Sequence, residues 1–279
     1  MLSRLFLFFI AIFFKLPLFI LHLLGGLFGR IAYQFDRRFK DRIDINLKRA
    51  FASSDASDLK KLTSLAIREI GKCLMEAPAI WFNSPQKNFR WVKKCYGWEH
   101  VEAALKKKKG IIFLTPHLGC FEITAQYYAH FHPITVLFKR PKQKWLANIV
   151  LSGRRHSKVH LAEANMGGVK QLMQALKKGE AIGVLPDQVP NEGQGVWAQF
   201  FDTPAYTMTL VSKLAESSKA AVLIGFGHRL SKGQGYEVYI EPLGSNHSPQ
   251  GINDRLESLI RKYPTQYLWN YQRFKKPNK

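Results

Sequence analysis

The chain has 279 residues, 46% of them apolar, and 42 Lys and Arg stand against 20 Asp and Glu, a formal net charge of +22. That apolar content excludes a disordered chain. The charge excludes a surface indifferent to anions: the partner is a nucleic acid, an anionic membrane, or a phosphorylated or acidic substrate. Three widely spaced cysteines, Cys73, Cys95 and Cys120, offer neither a disulfide framework nor a zinc site, and they fit a reducing compartment.

Residues 5–14 are wholly apolar, Lys15 interrupts them, and 16–29 continue apolar apart from His22. Together they reach the roughly 20 residues that cross a bilayer. Lys15 is costly inside hydrocarbon, and Pro17 kinks a helix. The stretch therefore reads as a single imperfect span or as a helix embedded in one leaflet, with a buried core helix as the bland alternative. A cleaved signal peptide is disfavoured, because no small-x-small site follows the first run. Arg30, Arg37, Arg38, Lys40, Arg42, Lys48 and Arg49 come next. Basic residues flanking a membrane segment stay cytoplasmic, and each contributes about 1 kcal/mol at an anionic surface. The expected parse is a membrane anchor over 1–30 and one catalytic domain over 31–279, on the cytoplasmic face.

Residues 53–58 supply helix-starting side chains, and Leu59, Leu62, Leu65, Ala66, Ile70, Cys73, Leu74 and Ala77 recur at helical spacing up to about Phe82. Met75 and Trp81 on this helix read as core or membrane-facing. A strand is expected over 91–96, a helix over 98–107, a strand over 111–114, a helix over 121–130 and a strand over 134–138. A helix over 145–151, another over 166–178 and a strand over 181–185 follow. Then come a long loop over 189–206, a helix over 207–218, a strand over 220–226, an edge strand over 236–240 and a helix over 252–263. Alternating strands and helices predict an α/β fold, a single domain with a mixed, largely parallel sheet flanked by helices.

Polar residues gather where strands end: His117 and Glu122, then Arg140, Arg154 and Arg155, then Asp187 and Gln188, then His228 and Arg229. In an open α/β sheet such ends converge on one crevice. Glu122 follows His117 by five residues and is expected to accept a hydrogen bond from one imidazole nitrogen, leaving the other as a base. The bland alternative is a polar loop histidine and a glutamate that favours the start of a helix. No Gly-x-Ser-x-Gly turn supplies a nucleophile, and Cys120 reads as a small buried thiol. Neither a Gly-x-Gly-x-x-Gly nor a Walker A sequence is present, so no nucleotide cofactor is expected. His130 and His132 lack partners at metal spacing. A base without a protein nucleophile fits direct transfer, in which a substrate hydroxyl attacks an activated acyl group while arginines hold phosphates. A basic membrane or nucleic-acid binding protein would share the charge but leaves His117 and Glu122 unexplained.

The stretch Leu114-Thr-Pro-His117-Leu-Gly-Cys-Phe-Glu122 resembles the His-x4-Asp/Glu motif of the lysophospholipid acyltransferase superfamily. The blocks Gly153-Arg154-Arg155, Leu185-Pro-Asp187-Gln188, 200–207 and 263–275 resemble its lipid A secondary acyltransferase branch. The resemblance covers nearly the whole chain. It implies an inner-membrane enzyme that moves an acyl chain from acyl carrier protein to a hydroxyl of a phosphorylated lipid A precursor, without a cofactor, a metal or nucleic acid. His117 would be the base and Glu122 its orienting partner, with substrate-binding roles for Arg154, Arg155, Asp187, Gln188 and Arg229. Two departures bear on the acceptor, for which a lysophospholipid or another glycolipid is the alternative. Asp202 stands where the branch usually has Gly, and the tail reads Asn-Tyr-Gln-Arg in place of a more basic run.

Overall fold

The structure is a computed structural model that describes residues 12–141, 143–154 and 158–278. Arg155 and most of the first apolar run lie outside the described residues. Pro17 does not kink a helix but precedes one, α1 (Leu18–Phe35). Two more helices follow, α2 (Arg37–Ala50), capped by the Asp36 side chain, and α3 (Ala56–Phe82). Helix α1 lies directly along α3. A Cβ on Gly71 would stand 1.9 Å from the Gly25 carbonyl oxygen, and one on Gly29 would stand 2.1 Å from that of Ile67. Backbone meets backbone there, and only glycine allows it. The face of α1 turned to α3 buries Leu18, Leu21 and His22, while Phe19, Leu23, Leu27, Phe28, Ile31 and Phe35 stay exposed. The boundary expected at residue 30 thus falls inside a helix packed on the body.

A short α4 (Pro85–Trp91) leads into the alternating part: β1 (Val92–Tyr96), α5 (Trp98–Lys106), β2 (Ile111–Leu114), α6 (Phe121–Phe131), β3 (Ile134–Phe138), α7 (Lys144–Arg154), β4 (Val159–Glu163), α8 (Met166–Lys177) and β5 (Ala181–Val184). After a hairpin of β6 (Gly195–Phe200) and β7 (Thr203–Met208) come α9 (Leu210–Ser218), β8 (Ala221–Arg229), β9 (Tyr236–Pro242) and α10 (Pro249–Lys262). Seven strands form one sheet in the order β1-β9-β8-β2-β5-β3-β4, and every neighbouring pair is parallel except β8 with β9. The expected α/β class and largely parallel sheet are what the chain adopts. Both central strands, β2 and β5, are buried along their whole length, as strands covered on both faces must be.

Three expectations change. Strand β9 is not at the edge, because β1 pairs with its outer side; its alternating side chains report one half-exposed face, not an unpaired edge. The short β4 was not expected at all, and it is an edge. The segment expected as a long loop holds the β6–β7 hairpin, closed by Phe201 and Asp202, both at positive φ. A two-residue turn of that hand suits Gly or Asp best, so the turn accommodates Asp202 where the resemblance led to an expectation of Gly. Phe201 adopts the same conformation because its ring is buried, with the Arg261 guanidinium 4.8 Å above it.

Strands β2 and β5 run parallel with Leu114 opposite Val184. His117 and Asp187 each lie three residues beyond that pair, so both loops emerge side by side at the same end of the sheet. The parallel neighbour β8 delivers Arg229 to that end too. The glycine contact of α1 is testable. Gly71→Ala should cost about 2 kcal/mol or more, as overpacking does, and lower the thermal midpoint. A midpoint equal to that of the parent would show that α1 and α3 are not held this closely.

Candidate active site

The Asp187 carboxylate holds His117 at two points. Its Oδ2 accepts from the His117 backbone N–H at 2.8 Å, and its Oδ1 lies 2.8 Å from the ring Nδ1. Asp187 is buried, and the Tyr267 hydroxyl also meets its carboxylate. Burial raises the pKa of its carboxyl, but the charge and hydrogen bonds of His117 outweigh that and hold it below the usual carboxylate range. An ionised partner at Nδ1 keeps the imidazole proton there and leaves Nε2 as the acceptor. The exposed Gln188 amide donates to that Nε2 from 3.2 Å. The first turn of α6, with its unpaired N–H groups, begins beside the ring, and the Phe121 and His117 ring centroids are 4.8 Å apart.

The carboxylate at the imidazole is therefore Asp187, 70 residues away, and not Glu122. Glu122 is the second residue of α6 and faces α3 and α7. It accepts from Arg154 Nε at 3.1 Å through each oxygen, and from Arg154 Nη2 and Trp81 Nε1. Glu122 and Arg154 line an apolar crevice between α6 and the sheet. Its far end is formed by Tyr128 on the last turns of α6 and by Ile134 and Val159, the first residues of β3 and β4. Its walls include Phe113, Val136 and Leu161, and Gly183 and Gly225 leave room along the sheet. Among the expected residues, the structure thus joins His117 with Asp187 and Gln188, and Glu122 with Arg154.

Arg229 belongs to neither group. It is buried, with 2.6 Å hydrogen bonds from Nε and Nη2 to the two oxygens of Glu76, one from Nη1 to Glu69, and one of 3.1 Å to the Gly119 carbonyl. The expectation of substrate binding at Arg229 is corrected: it is buried, and four of its five N–H donors are taken up inside the protein. Burial also raises the Glu76 pKa, but Arg229 and then His22, whose Nε2 lies 2.7 Å from Oε1, bring the carboxyl below its usual range. Cys120 is a sealed thiol whose burial pushes its pKa well up, which agrees with its reading as core. No group of three or more His, Cys, Asp or Glu among the described residues is arranged to hold a metal.

Sequence inspection missed Glu76, Trp81 and Gln266. Gln266 holds the backbone of Arg229 through its side chain and accepts from the Gly119 N–H through its carbonyl. All three lie in helices or in the tail at positions where nothing in the local pattern separates them from ordinary packing.

An imidazole backed by a carboxylate, set near an apolar crevice in an α/β sheet, is the arrangement of an enzyme site that moves a proton beside an apolar substrate. The chain matches the bacterial lipid A biosynthesis acyltransferase family over residues 1–276, and it belongs to that family. It is an O-acyltransferase. It is 25% identical to a lipid A biosynthesis lauroyltransferase of Escherichia coli (strain K12), over 94% of this chain and 87% of that one. It is 26% identical to a lipid A biosynthesis palmitoleoyltransferase of the same organism over the same shares. A lipid A biosynthesis acyltransferase of Haemophilus influenzae is 29% identical over 63% of this chain and 57% of its own.

Three depressed carboxyls, Asp187, Glu76 and Glu69, set a pH dependence. A carboxyl whose folded value lies below its unfolded one, about 4, stabilises the fold above that pH and loses the contribution as pH falls through the folded value. Stability should be level near neutrality and drop steadily below about pH 4. Glu76→Gln should lower stability at pH 7 and flatten that drop. Equal acid sensitivity of Glu76→Gln and parent in denaturant titrations would remove Glu76 from the account.

Proposed function

We propose that the chain transfers a fatty acyl group from acyl carrier protein to a hydroxyl of a lipid A precursor, at the cytoplasmic face of the inner membrane and without an acyl-enzyme. The observation that carries this reading is His117, held at Nδ1 by Asp187 with Nε2 facing a displaceable glutamine. The acceptor hydroxyl takes the place of the Gln188 amide and gives its proton to Nε2 as its oxygen attacks the thioester carbon. Asp187 stabilises the imidazolium that forms. The oxyanion develops beside the N-terminus of α6, whose free N–H groups and dipole favour negative charge. Collapse expels the carrier thiolate, which takes the proton back from Nε2. The apolar crevice receives the acyl chain, and Arg154 turns the Nη1 edge of its guanidinium, which makes no hydrogen bond among the described residues, to the donor's polar arm.

The membrane reading rests on α1, the one described helix long and apolar enough to cross a bilayer. Its outer face is apolar and exposed, and its inner face is docked on α3, which suits a helix lying in one leaflet. The charge of +22 serves an anionic membrane and an acidic carrier alike. Relatives named for lipid A biosynthesis support the acceptor.

His117→Ala should reduce acyl transfer by about 10²–10⁴-fold, and Asp187→Asn by about a hundredfold or more, because it loses control of the tautomer. Both should bind membranes as the parent does. Full activity in His117→Ala would sink the mechanism. Mass spectrometry of lipid A from cells lacking the chain should show one acyl group missing, and an unchanged lipid A would remove the acceptor assignment. The crevice gives a separate expectation. A Cβ on Gly183 meets Val136 at 3.4 Å, an ordinary contact, so Gly183→Val should fold and occupy crevice space. The preferred donor should shorten by about two carbons, since a valine side chain reaches two C–C bonds beyond Cα; an unaltered chain-length profile would place the acyl group elsewhere.

A further inference from the structure

We propose that Trp81 is a positioning residue for the acyl donor and acts through Arg154; this rests on the reading that Arg154 meets the donor at the crevice. Trp81 ends α3, far from His117 in sequence, yet one indole touches both members of the Glu122–Arg154 pair. Its Nε1–H donates to Glu122 Oε2 at 3.1 Å, and its ring lies 5.5 Å from the Arg154 guanidinium carbon. The fit is close. Gly153, the residue before Arg154, has no room for a side chain, since a Cβ there would stand 2.2 Å from the Trp81 Cβ. The last turn of α7 is therefore seated on this tryptophan.

The chemistry gives the contact a purpose. The terminal torsion of a glutamate is broad, so the plane of its carboxylate is set by its partners. Arg154 Nε bonds both oxygens and Nη2 bonds Oε1, which leaves Oε2 with room for one further donor, and the indole supplies it. With the carboxylate plane fixed, the planar guanidinium that forks onto it is fixed as well. Its opposite edge then points one way. Without the indole N–H the carboxylate turns, the fork follows, and the open edge no longer faces the donor. The packing role of Trp81, beside Ile80, Cys120 and Ile123, needs only an aromatic ring.

Trp81→Phe separates the two roles by keeping the ring and removing the donor. The expected result is a KM for the acyl thioester about tenfold higher, the effect of one hydrogen bond to a charged group, with the KM for the lipid acceptor unchanged and the melting midpoint no lower than in a Trp81→Leu control, which loses the ring as well. Trp81→Phe combined with Arg154→Lys should be no worse than Arg154→Lys alone, since residues acting through one another are not additive. An unchanged donor KM, effects that multiply, or both KM values rising together would overturn the proposal. Gly153→Ala, which displaces the ring, should reproduce the donor defect. The link is also read without turnover: the indole N–H resonance that vanishes in Trp81→Phe should shift in Arg154→Lys. A resonance that stays in place overturns the clasp, even if the chain transfers no acyl group and the functional reading itself has failed.

Discussion

Arg229 and Glu76 are both buried, and each is the other's main source of compensation for lost water. Taking two charges into an apolar interior is unfavourable unless the geometry is good and the remaining donors are satisfied. Removing one partner of such a pair costs about 3–5 kcal/mol. Here two bonds of 2.6 Å join the ions, Glu69 takes a third donor, and the Gly119 carbonyl takes a fourth. The pair thus ties α3 to the end of β8 and to the loop that carries His117. Gly119 must have no side chain for this. Its φ is +59°, and a Cβ would stand 2.1 Å from the Gly227 carbonyl oxygen. On the other side of the loop the tail closes in, with Gly119 donating to Gln266 and Leu268 donating to the His117 carbonyl. The imidazole sits on a backbone clamped from both directions.

That clamp explains why the tail departs from a simple basic run without loss of fold. Arg273 is buried and donates to the Tyr206 carbonyl, Thr207 Oγ1 and Asn253 Oδ1. Asn46 of α2 donates to the carbonyls of Trp269 and Tyr271, and the Tyr271 hydroxyl accepts from the Val189 backbone just past Gln188. The residues that look basic and aromatic in the tail are anchors for the two loops of the site, and Arg273 is spent on the interior before any anion arrives.

Sequence carried the fold well because the β-rich runs 111–114, 134–138 and 181–184 are short, apolar and bounded by Gly or Pro, so their class and order follow from pattern. It also carried His117 and the strand-end cluster, since a parallel sheet obliges strand ends to share one side. Pairings within the cluster were another matter. Glu122 was close to His117 in number, but a residue in the first turn of α6 points along the helix surface to α3, whereas Asp187 is brought in by strand register. Arg229 looked like its neighbours at strand ends, and only burial against α3 shows that its charge is already matched. Strand β4 and the β6–β7 hairpin were missed because their polar and glycine-containing residues resemble loop; pairing to a neighbour creates them, and local propensity does not.

The apolar N-terminal region posed a conflict in sequence: long enough to cross a bilayer, yet carrying Lys15, Pro17 and His22. Pro17 marks where α1 begins, and His22 faces inward to Glu76 at 2.7 Å, on the same carboxylate that holds Arg229. The polar residue that counted against a membrane helix is on its protein side, and the side turned away from the protein is apolar. A span crossing the bilayer alone would have to abandon the glycine contacts with α3 and leave Glu76 short of one partner. A helix lying along the surface keeps both. On the proposed reading, the face that meets lipid and the carboxylate that steadies the His117 loop are then two sides of one helix packing, and the loop is held in its working position by the same contact that seats α1 on the body.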